Sequence, residues 1–338
     1  MSDRLLILRG DEISDLLRGR ELEMIEEVRK AYVAHQRGDS SLPHSSFLRF
    51  PGNDTDRIIA LPAFLGAGFD VAGLKWISSF PGNVRNGMAR ASAVLILNSC
   101  ENGHVEAILE SSLISAKRTA ASAALAAQRL SDGSPADTIG LIGTGVINLE
   151  VARFVRALLP GISRAVLFDL DADRATRFGE RLKEEGMTEV EVAPSLAAVL
   201  SGCSLVSFAT TAIRPHVDDL SLCPPGATIL HVSLRDLAAE VILASDNVVD
   251  DADHVSRAST SIHLAEQKSG NRDFIRATLA EVCEGTAAPR TEGKVSVFSP
   301  FGLGVLDLAV GKLALDAALA TGKGTVIESF LPADEGLV

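Results

Sequence analysis

Between Thr138 and Asp169 the pattern of apolar and polar residues changes period twice. Ile139 to Ile142 is a continuous apolar run, Val146 to Leu159 returns apolar side chains at helical spacing, and a second apolar run closes on Asp169. The pattern predicts strand, turn, helix, strand. The alternation continues with a polar helix over Asp173 to Glu185, a strand over Glu189 to Val192 and a short helix over Ser195 to Ser201. Further strands follow at Ser204 to Thr210, Ala227 to Ser233 and Asn247 to Asp251. Roughly six strands with interleaved helices is the count of a doubly wound parallel sheet.

The first third of the chain is patterned differently. Leu5 to Leu8 reads as a short strand, and Glu21 to Gln36 as a helix with Leu22, Ile25, Val28 and Tyr32 on one stripe. From Phe47 to Leu109 the short apolar runs RIIALPAFL, VAGLKWIS, ASAVLILN and HVEAILE are broken by Gly, Pro and Asn, which predicts a mixed or antiparallel sheet. Ser111 to Leu130 is an alanine-rich helix, and Ser131-Asp132-Gly133-Ser134-Pro135 is the best boundary. Past Lys268 the chain reads as helical and polar, with a loop over Thr286 to Gly293, a strand at Val295 to Phe298 and an amphipathic helix over Val305 to Ala320. That terminal helix is expected to return to the first part. The expected fold is therefore α/β: a doubly wound Rossmann domain over 131–295, and a discontinuous α+β domain over 1–130 and 296–338.

Composition narrows the partners. The chain has 338 residues, is 46% hydrophobic and carries a formal net charge of −12 without a basic block, so nucleic acid and anionic membrane are poor partners and a small ligand is expected. Cys100, Cys203, Cys223 and Cys283 are far apart, and the histidines show no metal-ligand spacing, so no metal site is expected. MSDRLLILRGDE lacks a signal-peptide core, and no apolar run approaches a membrane span. A cytoplasmic protein with reduced thiols is expected.

The chemistry gathers at a few positions. Gly143-Thr144-Gly145 opens the helix after the first strand of the parallel sheet, where backbone amides can hold a pyrophosphate. Asp169 ends the next strand, placed to accept from a ribose 2′-hydroxyl and to repel a 2′-phosphate, which points to NAD. Asn148 departs from the Gly or Ala of that fingerprint, and a ligand-free turn and a solvated Asp169 are the plain alternatives. Thr210, Thr211, Val232, Ser233 and Asp236 fall at strand carboxyl ends; Asp236 is either a general base or a helix N-cap. His231, inside an apolar strand, reads as a satisfied core imidazole. Lys75 shares a strand face with Val71, Gly73 and Ile77, so it is either a buried functional lysine or one on the wet face of an edge strand. Arg118, among small helical residues, either reaches an anion or is a surface charge beside Lys117.

GLKWIS around Lys75, LESSLISAKRTAA around Arg118, IGTGVIN, the Asp236 loop and VFSPFG together resemble the ornithine cyclodeaminase and mu-crystallin family, nearly end to end. The resemblance implies that Arg49, Lys75 and Arg118 engage an amino-acid substrate, with Arg118 also near the cofactor phosphates, and that Asp236 is the catalytic carboxylate. It implies that NAD is held by Gly143, Thr144, Gly145, Val146, Ile147, Asp169, Thr210 and the loop Val232, Ser233, Leu234 and Arg235, in a homodimer built through the first domain. Where cyclodeaminases carry a glutamate this chain has Ile59, and where they carry a small polar residue it has Arg90. Glu240 and Pro300 also depart from the cyclodeaminase pattern. RIIALP, KWISS, RASAVLILN and ESSLIS look most like the branch that oxidises N-(2-amino-2-carboxyethyl)-L-glutamate to L-2,3-diaminopropionate and 2-oxoglutarate, for siderophore or peptide-antibiotic assembly. Lys75 is then expected to act in both binding and proton transfer. Ornithine or lysine cyclodeamination, another imine or amino-acid dehydrogenase, and a non-enzymatic binding protein like mu-crystallin remain open alternatives.

Overall fold

The computed structural model describes residues 4–131 and 137–331. In chain order the elements are β1 (Arg4–Leu8), α1 (Gly10–Leu17), α2 (Glu21–Gln36), β2 (Ser40–Ser41), β3 (Ser46–Phe50), β4 (Asn53–Leu65), β5 (Val71–Ser79), β6 (Ala91–Ser99) and β7 (Val105–Glu110). Then come α3 (Ser112–Leu130), β8 (Thr138–Ile142), α4 (Val146–Leu158), β9 (Arg164–Phe168), α5 (Ala172–Glu184), β10 (Glu189–Val192), α6 (Leu196–Gly202), β11 (Leu205–Phe208) and β12 (Thr228–His231). The chain ends with α7 (Ala239–Ala244), β13 (Asp246–Val249), α8 (Ala252–Val255), α9 (Ser261–Ser269), β14 (Ile275–Thr278), α10 (Leu279–Glu284), β15 (Ser296–Ser299), α11 (Gly304–Thr321) and β16 (Thr325–Glu328).

Contacts divide the chain into two compact units, one of Met1–Arg20, Ala34–Ser115 and Leu303–Val338, the other of Glu21–Val33 and Ala116–Gly302. Most of the turn-rich stretch proposed as a boundary, Asp132 to Pro135, lies outside the described residues. The division instead falls inside α3, whose alanines from Ala120 to Ala127 are buried, and after Gly302. A small-residue helix packs too closely on its neighbours to serve as a linker.

The first unit is a mixed sheet in the order β16-β1-β7-β6-β5-β4-β2, with β3 also on β4; only β1 and β7 run parallel. The apolar alternation in β4 to β6 gives the sheet two distinct faces. α11 packs on the inner one, where Gly311 lets it approach so closely that a Cβ there would lie 2.3 Å from Leu95 Cδ2. The outer face leaves Leu48, Phe64 and Trp76 exposed.

The second unit is an all-parallel sheet in the order β10-β9-β8-β11-β12-β15-β13-β14, so the chain reverses direction across the sheet between β8 and β11. Roughly six strands were expected here, and the described residues give an eight-stranded sheet. β14 falls in the stretch read as helical; four residues with one buried side chain leave too weak a period to see. β15 was assigned with the terminal helix, yet it inserts between β12 and β13. All four of its side chains, Ser296, Val297, Phe298 and Ser299, are buried, so no exposed face marks which sheet it joins. No helix among the described residues is long and apolar enough to cross a membrane.

Candidate functional site

The glycine turn lies where the sheet order reverses. Gly143 has φ +86°, and a Cβ on it would sit 2.6 Å from Ala209 O, so both its conformation and its closeness to the end of β11 require glycine. Gly145 is the N-cap of α4 and supplies no side-chain cap, leaving the first amides of the helix, from Val146 and Ile147 onward, open for an anion. Asn148, the departure from the fingerprint, is buried: its Nδ2 donates to Ile142 O at 3.0 Å and Gly143 O at 2.6 Å, and its Oδ1 accepts from Ser207 at 2.8 Å. It ties the turn to β11, a job that Gly or Ala has no atoms to do.

Asp169 receives Thr144 N at 2.8 Å and Thr144 Oγ1 at 2.7 Å on one oxygen, and Asp171 N at 3.0 Å on the other. Burial alone would raise its carboxyl; the Thr144 hydroxyl, the Asp171 and Thr144 amides and the charge of Arg174 outweigh burial and hold it below the usual range. The plain reading of Asp169 as a merely solvated strand-end acid is therefore wrong. It braces the turn through Thr144.

Asp236 is not a helix cap: α7 begins at Ala239 and its N-cap is Ala238. The carboxylate is fully buried, accepts from Thr210 Oγ1 and, at 2.5 Å, from Ser233 Oγ, and lies 3.1 Å from His216 Nε2. Its own N–H donates to His231 Nε2 at 3.2 Å, and His231 Nδ1 meets Ser299 Oγ at 3.1 Å, so His231 is the satisfied buried imidazole expected. Burial would push Asp236 up, but the His231 contact and the Ser233 and Thr210 hydroxyls outweigh it and hold the carboxyl well below its ordinary value. His216 N and Val217 N both donate to Asp236 O at 2.9 Å, which straps the His216 segment to the Asp236 loop. The His216 ring is 41% exposed and so links a buried acid to solvent. Sequence reasoning missed His216, which stands 20 residues from its partner with no periodic relation to it.

Of the remaining residues in the loop, Leu234 holds φ +69°, a conformation rare outside glycine, and Ser261 N donates to its carbonyl at 2.8 Å. The Arg235 guanidinium turns to Ala258 O at 2.8 Å. Arg118 is 8% exposed and packs against Gly302, where a Cβ would stand 2.7 Å from its Nη1. Lys117 is buried as well and pairs with Glu150 at 3.2 Å. The surface-charge reading of this pair fails because the helix that carries them is packed on several sides.

In the first unit, Lys75 is 2% exposed on β5, an interior strand, which removes the wet-edge reading. It pairs with Asp307 of α11 at 2.6 Å and donates to Ser115 Oγ at 3.3 Å. Sequence reasoning missed Asp307; the signal was one acid in the apolar stretch GVLDLAVG. Arg49 stands opposite Arg57 across β3 and β4, and Arg90 Nη1 donates to Ser79 Oγ at 2.9 Å. Arg57 was also missed. Burial and then the charge of Arg49 lower its guanidinium, and burial and then the charge of Arg57 lower that of Arg90.

A parallel sheet that reverses order beside a capless glycine turn, joined in one chain to a mixed sheet with a buried lysine, defines a doubly wound α/β protein of the dinucleotide-binding type. The chain belongs to the ornithine cyclodeaminase/mu-crystallin family, whose family model matches residues 10–322. It is similar to the N-((2S)-2-amino-2-carboxyethyl)-L-glutamate dehydrogenase of Staphylococcus aureus, 26% identical over 98% of this chain and 100% of that one. Among solved structures it is similar to the Thermococcus litoralis Delta(1)-pyrroline-2-carboxylate reductase in complex with NADH and L-proline, with TM-score 0.87 and 26% identity over 95% of this chain and 99% of that one. An archaeal alanine dehydrogenase dimer with bound NAD superposes with TM-score 0.86 and 26% identity over 97% of this chain and 100% of that one.

Proposed function

We propose that this protein oxidises N-(2-amino-2-carboxyethyl)-L-glutamate with NAD, releasing L-2,3-diaminopropionate and 2-oxoglutarate. At the coarser level it is an NAD-dependent oxidoreductase acting on a CH–NH bond of an amino-acid or imine substrate, as its relatives are. The observation that carries the substrate is Arg90, anchored on Ser79 near Arg49, while Ile59 stands on the same sheet face where cyclodeaminases have a glutamate. An added guanidinium favours an added carboxylate, and Ile59 removes a carboxylate that cyclisation would want.

The residues present fit NAD. The Gly143 cradle, the open amides of Val146 and Ile147, the Asp169 carboxylate and the Thr210 and Val232 to Arg235 backbone would hold it, with Arg118 near the phosphates. Bound NAD supplies the hydride acceptor. Arg49 and Arg90 would hold substrate carboxylates by charge-assisted pairs, and Lys75, set in place by Asp307, would orient a carboxylate or pass a proton. Asp236 takes a proton from the water that attacks the imine, and the exposed ring of His216 passes that proton to solvent.

A second copy would pack on the outer sheet face that exposes Leu48, Phe64 and Trp76, in line with the dimeric archaeal relative. Free thiols at Cys100, Cys203, Cys223 and Cys283 fit a reducing cytoplasm, and the diamine product fits siderophore or peptide-antibiotic assembly.

Purified protein incubated with NAD⁺ and either N-(2-amino-2-carboxyethyl)-L-glutamate or ornithine tests the reading by NADH absorbance and product mass. NADH accumulating with diaminopropionate is expected. Proline without net NADH would identify a cyclodeaminase instead.

A further inference from the structure

Three guanidinium groups gather at one end of the inner face of the mixed sheet. Arg49, Arg57 and Ser79 stand directly opposite one another across β3, β4 and β5, so their side chains share a face. Arg90 reaches that same row through its bond to Ser79 Oγ, a hydroxyl of a residue only 6% exposed. The next row inward is apolar, formed by Phe47, Ile59, Ile77 and Ala93. The row beyond it holds Leu61, Lys75 and Leu95. Lys75 and the arginine row are thus four residues apart along the strands, about 13 Å between backbones.

Arginines facing each other across a sheet repel, and partial burial adds to the cost. Lys75, Lys117 and Arg276 each meet a carboxylate, of Asp307, Glu150 and Asp246 respectively. Among the described residues no carboxylate pairs with Arg49, Arg57 or Arg90; their neighbours are Ser79, the Phe47 ring and one another. A cationic row that no carboxylate answers among the described residues, bordered by an apolar strip, is shaped for a ligand whose anionic end is joined to an apolar spacer.

We propose that Arg57, with Arg49 and Arg90, forms a carboxylate subsite that selects substrates bearing a second carboxylate remote from the first, and that Arg57 is its specificity-determining residue. The catalytic consequence rests on the oxidoreductase reading of the same site; the binding consequence does not.

Calorimetric titration of the full chain with glutarate, and in parallel with inorganic phosphate, tests the subsite. Glutarate is expected to bind the wild type, and Arg57→Gln to weaken it about tenfold or more, with Arg57→Lys intermediate because it keeps the charge but loses the fork. NAD⁺ affinity should stay unchanged in both variants, which reports an intact fold; if Arg57→Gln fails to fold, Arg57→Lys carries the comparison. Phosphate binding that exceeds glutarate binding and depends equally on Arg57 would overturn the carboxylate assignment. Glutarate affinity unmoved by the variants, or absent in the wild type, would overturn the subsite. With N-(2-amino-2-carboxyethyl)-L-glutamate the variant should raise KM and largely spare kcat. If glutarate binding depends on Arg57 but this substrate yields no NADH, the subsite stands and the substrate assignment falls.

Discussion

Asp236 has no exposed surface, yet two hydroxyls and two imidazoles meet it, an arrangement that stabilises the ionised form. Asp236→Asn should therefore lower kcat about a hundredfold or more while NAD⁺ affinity, read by fluorescence titration, is kept. Retention of full turnover would remove the base assignment. Its folded-state value lies below the unfolded one, so the ionised group contributes stability that is complete above about pH 4 and is lost as pH falls further. Thermal midpoints of wild type and Asp236→Asn should differ near neutrality and converge on acidification toward about pH 2. Lys75 and Asp307 make the complementary case. Lys75→Met alone strands a buried carboxylate and should cost about 3–5 kcal/mol in denaturant unfolding, while the double variant with Asp307→Leu should recover much of that loss. As candidates, three residues were legible in the sequence: Lys75 and Arg118 as charges in an apolar or small-residue setting, and Asp236 as an acid in the loop after a strand end, where a helix cap was the other reading. Asp307, His216 and Arg57 were not, since their roles come from partners at other places in the chain.

At the scale of elements, the strand, turn and helix from β8 to α4 were legible because their whole signal is local: an apolar run, two glycines and a 3.6-residue period. Gly143 is the position where that local signal meets a tertiary demand, as a side chain there collides with the end of β11. Gly143→Ala should destabilise the fold by about 1–3 kcal/mol and weaken NAD⁺ binding at least tenfold, measured by urea unfolding and calorimetry. Wild-type NAD⁺ affinity in that variant would show that the turn is not the cofactor cradle. β14 and β15 were missed or misplaced for opposite reasons, one with a single buried side chain and the other buried throughout, so that neither shows an alternation.

For the whole molecule, the outer face of the mixed sheet is the proposed seat of a second copy. Trp76→Glu sets a charge in the middle of that face and should convert a dimer to a monomer in sedimentation velocity, with NAD⁺ binding retained. A wild type that sediments as a monomer would remove this interface. The sequence by itself determined the α/β class, the glycine turn, the acid at the end of β9 and the apolar faces, because each follows from residues near one another along the chain. Only the tertiary structure decided which charges meet. The register of β3 to β5 aligned Arg49 with Arg57 and Ser79, and the seat of α11 brought Asp307 to Lys75 across a separation of 232 residues. A one-residue slip in either would send those side chains elsewhere, and no local period encodes that choice.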